Sequence, residues 1–110
     1  MAHLYLSPTA TIKRVKEQAE KSNQDIFPVV DDSGLYKGFI RASDWNNFED
    51  TTTVDEVLDE CDNLERRDVY VYVDTNVAQA RKVLSTNRIS FVPIVDYTGH
   101  YVGTLDYSST

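Results

Sequence analysis

One segment of this 110-residue chain is written twice, and the two copies stand 65 positions apart. Residues 27–40 read FPVVDDSGLYKGFI, and residues 92–105 read VPIVDYTGHYVGTL. Between 28–43 and 93–108, seven of sixteen positions are identical, whereas average residue usage gives about one identity by chance. The chain is therefore two copies of one unit, at roughly 3–45 and 68–110.

Each copy predicts a short strand, an amphipathic helix, and two strands joined by a glycine-containing turn. The first strands are expected at 4–6 and 69–73. The apolar runs at 26–30 and 91–95 are typical of buried strands, and returning strands follow at 36–41 and 101–106. The candidate helix caps are Thr9 or Thr11 in the first copy and Asp74 or Thr75 in the second.

A single unit of this length has too little core to stand alone, so the two units are expected to pack against each other. This predicts an α/β (α+β) fold of two β-α-β-β-α repeats about a pseudo-twofold axis. The first repeat is placed at 1–48 and the second at 68–110. Between them, 49–67 is expected to be an acidic linker with a short helix that Thr53 caps, because Glu56 stands at capping-box distance.

The composition of the chain limits the classes of partner and the location that we expect. The formal net charge is −7, which argues against a nucleic-acid partner and against docking on an anionic membrane. No apolar run is long enough to span a bilayer. The one cysteine, Cys61, excludes an internal disulfide and favours a reducing, cytoplasmic location. The segment from Glu49 to Glu65 contains eight acidic residues and no basic one. This segment is expected to be either an ordinary solvated surface or a surface that is sensitive to salt.

The doubled string Pro-Val-Val-Asp-x-x-Gly-x-x-x-Gly, which begins at Pro28 and recurs at Pro93 with one Val changed to Ile, resembles the CBS domain. Two such units in tandem resemble a CBS pair, or Bateman module. The resemblance implies homodimers that bind adenine nucleotides or cyclic dinucleotides in clefts between repeats and regulate an attached enzyme, channel or transporter. The surroundings of Asp44 and the segment 67–75 are similar to the tails of betaine-type ABC transporter ATPases, and chloride-channel tails are a second possibility.

The ligand signature of that family, Gly-apolar-apolar-Thr/Ser-x-x-Asp, is incomplete in both copies. In the first copy Asp44 keeps the ribose-binding carboxylate, although it also suits a helix cap. Arg41 replaces the hydroxyl, and its side chain is expected either to pair with a phosphate or to block the cleft. In the second copy Asp106 replaces the hydroxyl and Ser109 replaces the carboxylate. A carboxylate about 4 Å from a phosphate repels it by several kcal/mol at an effective dielectric of about 20, so the second copy is not expected to hold an ordinary nucleotide phosphate by itself.

The resemblance also implies that residues just before each proline flank an adenine. The candidate ligand-binding residues are Asp25, Ile26, Arg41, Ser43, Asp44, Ile89, Ser90, Phe91, Asp106 and Ser109. The candidate ligands are AMP, ATP, S-adenosylmethionine and cyclic di-AMP.

Two functions remain open at this point. The first is a regulatory module that senses one of these ligands for an attached transporter, channel or enzyme. The second is a ligand-free dimerisation or interaction module, which senses ionic strength through its acidic linker. We expect neither a catalytic nor a metal site, because no nucleophile–base pair and no ligand spacing around His3, His100 or Cys61 supports one.

Overall fold

The computed structural model of the protein describes residues 4–61 and 67–106. Its elements, in chain order, are α1 (Ile12–Ala19), β1 (Ile26–Val30), β2 (Tyr36–Arg41), a 3₁₀ helix (Ala42–Asn47), α2 (Val54–Glu60), β3 (Val71–Tyr72), α3 (Val77–Asn87), β4 (Phe91–Val95) and β5 (Tyr101–Asp106). Within the described ranges, no helix has the length and apolar character that crossing a bilayer requires.

The 65-residue shift relates the two repeats strand by strand. The antiparallel pair β1–β2 and the antiparallel pair β4–β5 have the same register, and both shift register at the same relative position. The expected first strands are shorter than the sequence pattern predicts. The segment 4–6 forms a single parallel bridge from Leu6 to Val29, and the segment 69–73 forms only β3, which pairs in parallel with β4.

The helix caps follow the same shift. Thr11 caps α1 by accepting a hydrogen bond from the backbone N–H of Arg14 at 3.4 Å. The prediction for the second helix was wrong: Asn76, which stands 65 residues after Thr11, caps α3. Thr75 instead accepts a hydrogen bond from the backbone of Tyr72 at 3.0 Å, which ties the strand to the turn before the helix.

A backbone contact marks the pseudo-twofold axis between the two hairpin turns. Leu35 and His100, which are 65 positions apart, form an isolated antiparallel bridge with each other. On either side, the N–H of Tyr36 donates to the carbonyl of Gly99 at 3.0 Å, and the N–H of Tyr101 donates to the carbonyl of Gly34 at 2.9 Å. Each hydrogen bond is the symmetry equivalent of the other, so the axis passes through this bridge.

The two repeats share their core. One cluster of buried residues joins α1, β1 and β2 to Val54, Val57 and Leu58 of α2, so the described part of the expected linker packs on the first repeat, while the division at 48 and 67 stays a prediction. The other cluster fills the second repeat but includes Ile26 and Phe39 from the first. The core of the second repeat is therefore closed only with side chains from the first repeat.

We expect Phe39→Ala to destabilise the whole chain by about 3–5 kcal/mol, because it leaves a cavity in the core of the other repeat. Urea unfolding followed by the fluorescence of Trp45, in the first repeat, and by far-UV circular dichroism should give one coincident transition. Val102→Ala is the control, since Val102 is 58% exposed. Two separate transitions would contradict a shared core.

We expect acid to weaken the protein partly through Glu56. Hydrogen bonds from the backbone and the hydroxyl of Thr53 lower the pKa of Glu56 below its usual value of 4.5. The stability that these bonds contribute is thus present above about pH 4.5 and is lost as the pH falls through the lowered pKa. In urea titrations between pH 2 and 6, Glu56→Gln should be less stable than the wild type above pH 4.5 and should lose less stability on acidification. Glu60→Gln, on the same helix, should follow the wild type.

Candidate functional site

The two repeats meet along a seam, where the start of β1 and the end of β2 face the segment before β4. At its centre the hydroxyl of Ser90 donates to the carboxylate of Asp25 at 3.1 Å, and these two residues are again 65 positions apart. We name the two sides by their charged residue. The Arg41 half contains Arg41, Asp44, Val69 and 87–91, and the Asp106 half contains the equivalent described positions 106, 4 and 22–26.

Arg41 connects the repeats across its half of the seam. It lies at the end of β2, and its guanidinium donates to the backbone carbonyl of Asn87 at 2.9 Å and to that of Arg88 at 3.5 Å. These carbonyls belong to the C-terminal end of α3, where a helix carries partial negative charge. The guanidinium also lies 5.7 Å from the centre of the Phe39 ring. Arg41 thus fixes a positive charge between the repeats.

Asp44 lies beside this arginine. It is 8% exposed, and its carboxylate accepts a hydrogen bond from the backbone N–H of Arg41 at 2.6 Å. Asp44 is the third residue of the 3₁₀ helix rather than the residue before it, so it stabilises the start of that helix from within the first turn. A buried carboxylate oriented by a backbone N–H can accept further hydrogen bonds from a ligand.

The apolar candidates come together. Ile26, Ile89 and Phe91 are all buried and belong to the core cluster that fills the second repeat. Ile26 is paired with Arg41 in the register of β1 and β2, and Phe91 is paired with Asp106 in that of β4 and β5. The seam is therefore backed by apolar side chains.

The structure does not bring the remaining polar candidates into this buried cluster. Ser43 is exposed, and Asp106 is exposed at the end of β5. Ser109 lies outside the described residues. In the part of the chain that the structure describes, no three His, Cys, Asp or Glu side chains converge as metal ligands would.

Two tyrosines at equivalent positions behave differently. The hydroxyl of Tyr36 crosses the seam and donates to the carbonyl of Val69 at 2.9 Å. Burial first, and then the neighbouring Tyr101, raises the pKa of Tyr36 above its usual value, so this hydroxyl stays a neutral donor. The hydroxyl of Tyr101 instead pairs with the hydroxyl of Thr104 at 2.6 Å. The carbonyl of Leu4, which is equivalent to that of Val69, has a different partner.

That partner is Gln24, which sequence reasoning missed. Its side-chain amide accepts from the N–H of Leu4 at 2.5 Å and donates to the carbonyl of Leu4 at 2.9 Å and to that of Ile26 at 3.1 Å. The signal was available, because the 65-residue shift aligns this polar residue with the apolar Ile89. The two halves of the seam therefore differ in polarity as well as in charge.

Among the described residues, two surface cavities border the seam at equivalent places in the repeats. One, of about 490 Å³, lies between β3 and α3 and is lined by Tyr70, Tyr72 and the α3 side chains that face them. The other, of about 390 Å³, is lined by Tyr5 and by residues of α1. Each extends to one residue of the seam, the first to Asn87, whose carbonyl binds Arg41, and the second to Leu4. Neither cavity is lined by a candidate ligand-binding residue, so those candidates lie on the seam rather than in these cavities.

Comparisons with known proteins agree with this architecture. Residues 61–109 match the family model described as the CBS domain. No protein of curated function matches the chain by sequence. Among solved structures, the CBS domains of a transcriptional regulator from Streptococcus pneumoniae are 21% identical, with a TM-score of 0.77 over 93% of this chain and 81% of that one.

Two similar structures contain nucleotides. The cytosolic domain of the Mg²⁺ channel MgtE, solved in complex with ATP, is 22% identical, with a TM-score of 0.79 over 94% of this chain and 42% of that one. CBSX2, solved in complex with AMP, is 18% identical, with a TM-score of 0.74 over 96% of this chain and 81% of that one. Residues 61–109 of the present chain are thus a CBS domain by sequence, and the whole chain has the α+β fold of a CBS-domain pair.

Proposed function

We propose that this protein is a regulatory module that binds an adenosine-containing ligand in the Arg41 half of the seam and controls an attached transporter, channel or enzyme. The observation that carries the proposal is that Arg41 and Asp44 of the first repeat meet residues 87–91 of the second. A ligand bound there contacts both repeats at once. Its binding free energy can therefore depend on how the repeats are placed, which is the requirement for control.

The residues suit the three parts of a nucleotide. Ile89, which is 6% exposed, offers apolar surface for a base. The carboxylate of Asp44 can accept hydrogen bonds from ribose hydroxyls, and hydrogen bonds to a charged acceptor are worth about 1.5–3 kcal/mol each. Arg41 supplies a charge for a phosphate. We propose a binding role rather than catalysis.

The relatives support the same reading. MgtE and CBSX2 have this fold and were solved with ATP and AMP, and other similar structures come from magnesium transporters. AMP and ATP are thus the first ligands to test, followed by S-adenosylmethionine and cyclic di-AMP. An attached transporter would place the module on the cytoplasmic side of a membrane, and we propose that two copies associate as a homodimer.

Arg41 gives the ligand a way to act on the fold. Its guanidinium holds the C-terminal end of α3 through two carbonyls. A phosphate is a stronger acceptor for a guanidinium than a peptide carbonyl, so a bound nucleotide competes with Asn87 and Arg88 for this side chain. Exchange of one acceptor for the other changes the connection between β2 and α3, and with it the placement of the repeats.

A ligand-free interaction module is the second candidate. The acidic residues of 49–60 are mostly exposed, and the ion pairs from Asp50 to Lys16 and from Asp59 to Arg67 are exposed as well. Such pairs are weak and are screened by salt. This candidate requires that sedimentation detect a dimer that no nucleotide changes and that salt strongly affects.

We expect Asp44→Asn to weaken AMP binding about tenfold to a hundredfold, because the loss of charged hydrogen bonds costs about 1.5–3 kcal/mol. Asparagine keeps the shape and can still accept from the N–H of Arg41. Isothermal titration calorimetry measures the effect, with Asp32→Asn on the exposed hairpin turn as the control. An unchanged affinity would remove Asp44 from the site.

We expect Arg41→Gln to abolish the preference for AMP over adenosine, because the preference comes from the pairing of the guanidinium with the phosphate. Calorimetry with both ligands gives the ratio of the two affinities for each variant. Lys37→Gln removes a positive charge from the exposed side of the same strand and should keep the wild-type ratio. A ratio that Arg41→Gln leaves intact would show that the phosphate lies elsewhere.

A further inference from the structure

The pseudo-twofold axis creates two equivalent halves of the seam, but their chemistry differs at two positions that could meet a ligand. Arg41 is equivalent to Asp106, and Ile89 is equivalent to Gln24. We propose that the seam binds one ligand per chain, in the Arg41 half, and that the side chain of Gln24 fills the equivalent place in the Asp106 half. This inference rests on the proposed function.

The first step is the hydrogen bonding of Gln24. Its amide both accepts from the N–H of Leu4 and donates to the carbonyl of Leu4, at 2.5 and 2.9 Å. A neighbouring donor and acceptor on one planar group are also what an adenine edge presents to a backbone. Because both the oxygen and the nitrogen of this amide are already bonded to Leu4, the backbone N–H and carbonyl of Leu4 have partners within the protein.

The second step is the comparison with the other half. There Ile89 is 6% exposed and has no polar side-chain atom, so it cannot cover the backbone of Val69 in the way that Gln24 covers Leu4. The carbonyl of Val69 accepts instead from Tyr36 of the other repeat. Tyr101, the equivalent of Tyr36, bonds Thr104. Gln24 therefore donates to the carbonyl of Leu4, which is the carbonyl that Tyr101 would bind if it behaved as Tyr36 does.

The third step is charge. The Arg41 half places a guanidinium where β2 ends, whereas the Asp106 half places a carboxylate where β5 ends. A phosphate is attracted in the first case and repelled in the second. A nucleotide is therefore excluded from the Asp106 half twice, because its base edge meets Gln24 and its phosphate meets Asp106.

Calorimetry and ¹⁵N NMR of the 110-residue chain with AMP test the proposal. We expect a stoichiometry of one per chain, with saturable shifts of the amides of 41–44 and 87–91 and none at Leu4. A stoichiometry of two, or a shift at Leu4 that saturates with AMP, would overturn the inference while leaving the proposed function in place. Failure to bind AMP, ATP, S-adenosylmethionine and cyclic di-AMP would instead overturn the proposed function, and the inference with it.

Adenosine separates the two obstacles, because it has no phosphate for Asp106 to repel. The wild type should show no adenosine-dependent shift at Leu4, whereas Gln24→Ala should show a saturable shift there. Gln18→Ala, an exposed glutamine of α1 outside the seam, should behave as the wild type. Absence of that shift in a folded Gln24→Ala would contradict the role of Gln24. The wild-type measurements test the stoichiometry even if that variant does not fold.

Discussion

The shared core constrains everything else in this structure. Side chains on a strand alternate between two faces, and β1 and β2 use both: Phe27 and Ile40 pack in the first cluster, whereas Ile26 and Phe39 pack in the second. Two strands of the first repeat thus stabilise both cores. A displacement of one repeat against the other costs burial in the second cluster, so this cluster holds the two repeats in place.

The polar contacts of the seam lie directly on this core. Arg41 is paired in register with Ile26, so the charge that spans the seam is held by a buried strand pair rather than by a loop. Because both acceptors of Arg41 are carbonyls at the end of α3, the contact depends on the position of a whole helix. Loss of the hydrogen bonds from Arg41 would therefore affect the position of α3, and through α3 the second repeat as a whole.

Much of the fold could be predicted from the repeat alone. The 65-residue shift carries the strand register, the bulges and the contact between the turns, because equivalent sequences form equivalent pairs. Local sequence patterns were less reliable for the helix caps. They favoured Asp74 or Thr75 as the cap of α3, whereas the 65-residue shift from Thr11 identifies Asn76. The site was predicted only as a set of residues. The contacts of Arg41 and Gln24 could not be predicted, because they depend on how the two repeats lie against each other.

The contact between the two hairpin turns explains both which positions the copies share and where they can differ. At the axis Leu35 meets His100, and the flanking bonds join Tyr36 to Gly99 and Tyr101 to Gly34. Both glycines have φ near +87°, at 86° and 88°, which other residues adopt only with strain, so the two turns must stay alike. Away from the axis each half of the seam is built from different residues, and Arg41 can differ from Asp106 without disturbing the pairing. Two alike turns therefore permit two unlike halves, and a fold that is symmetric in its backbone can carry a binding site on one side only.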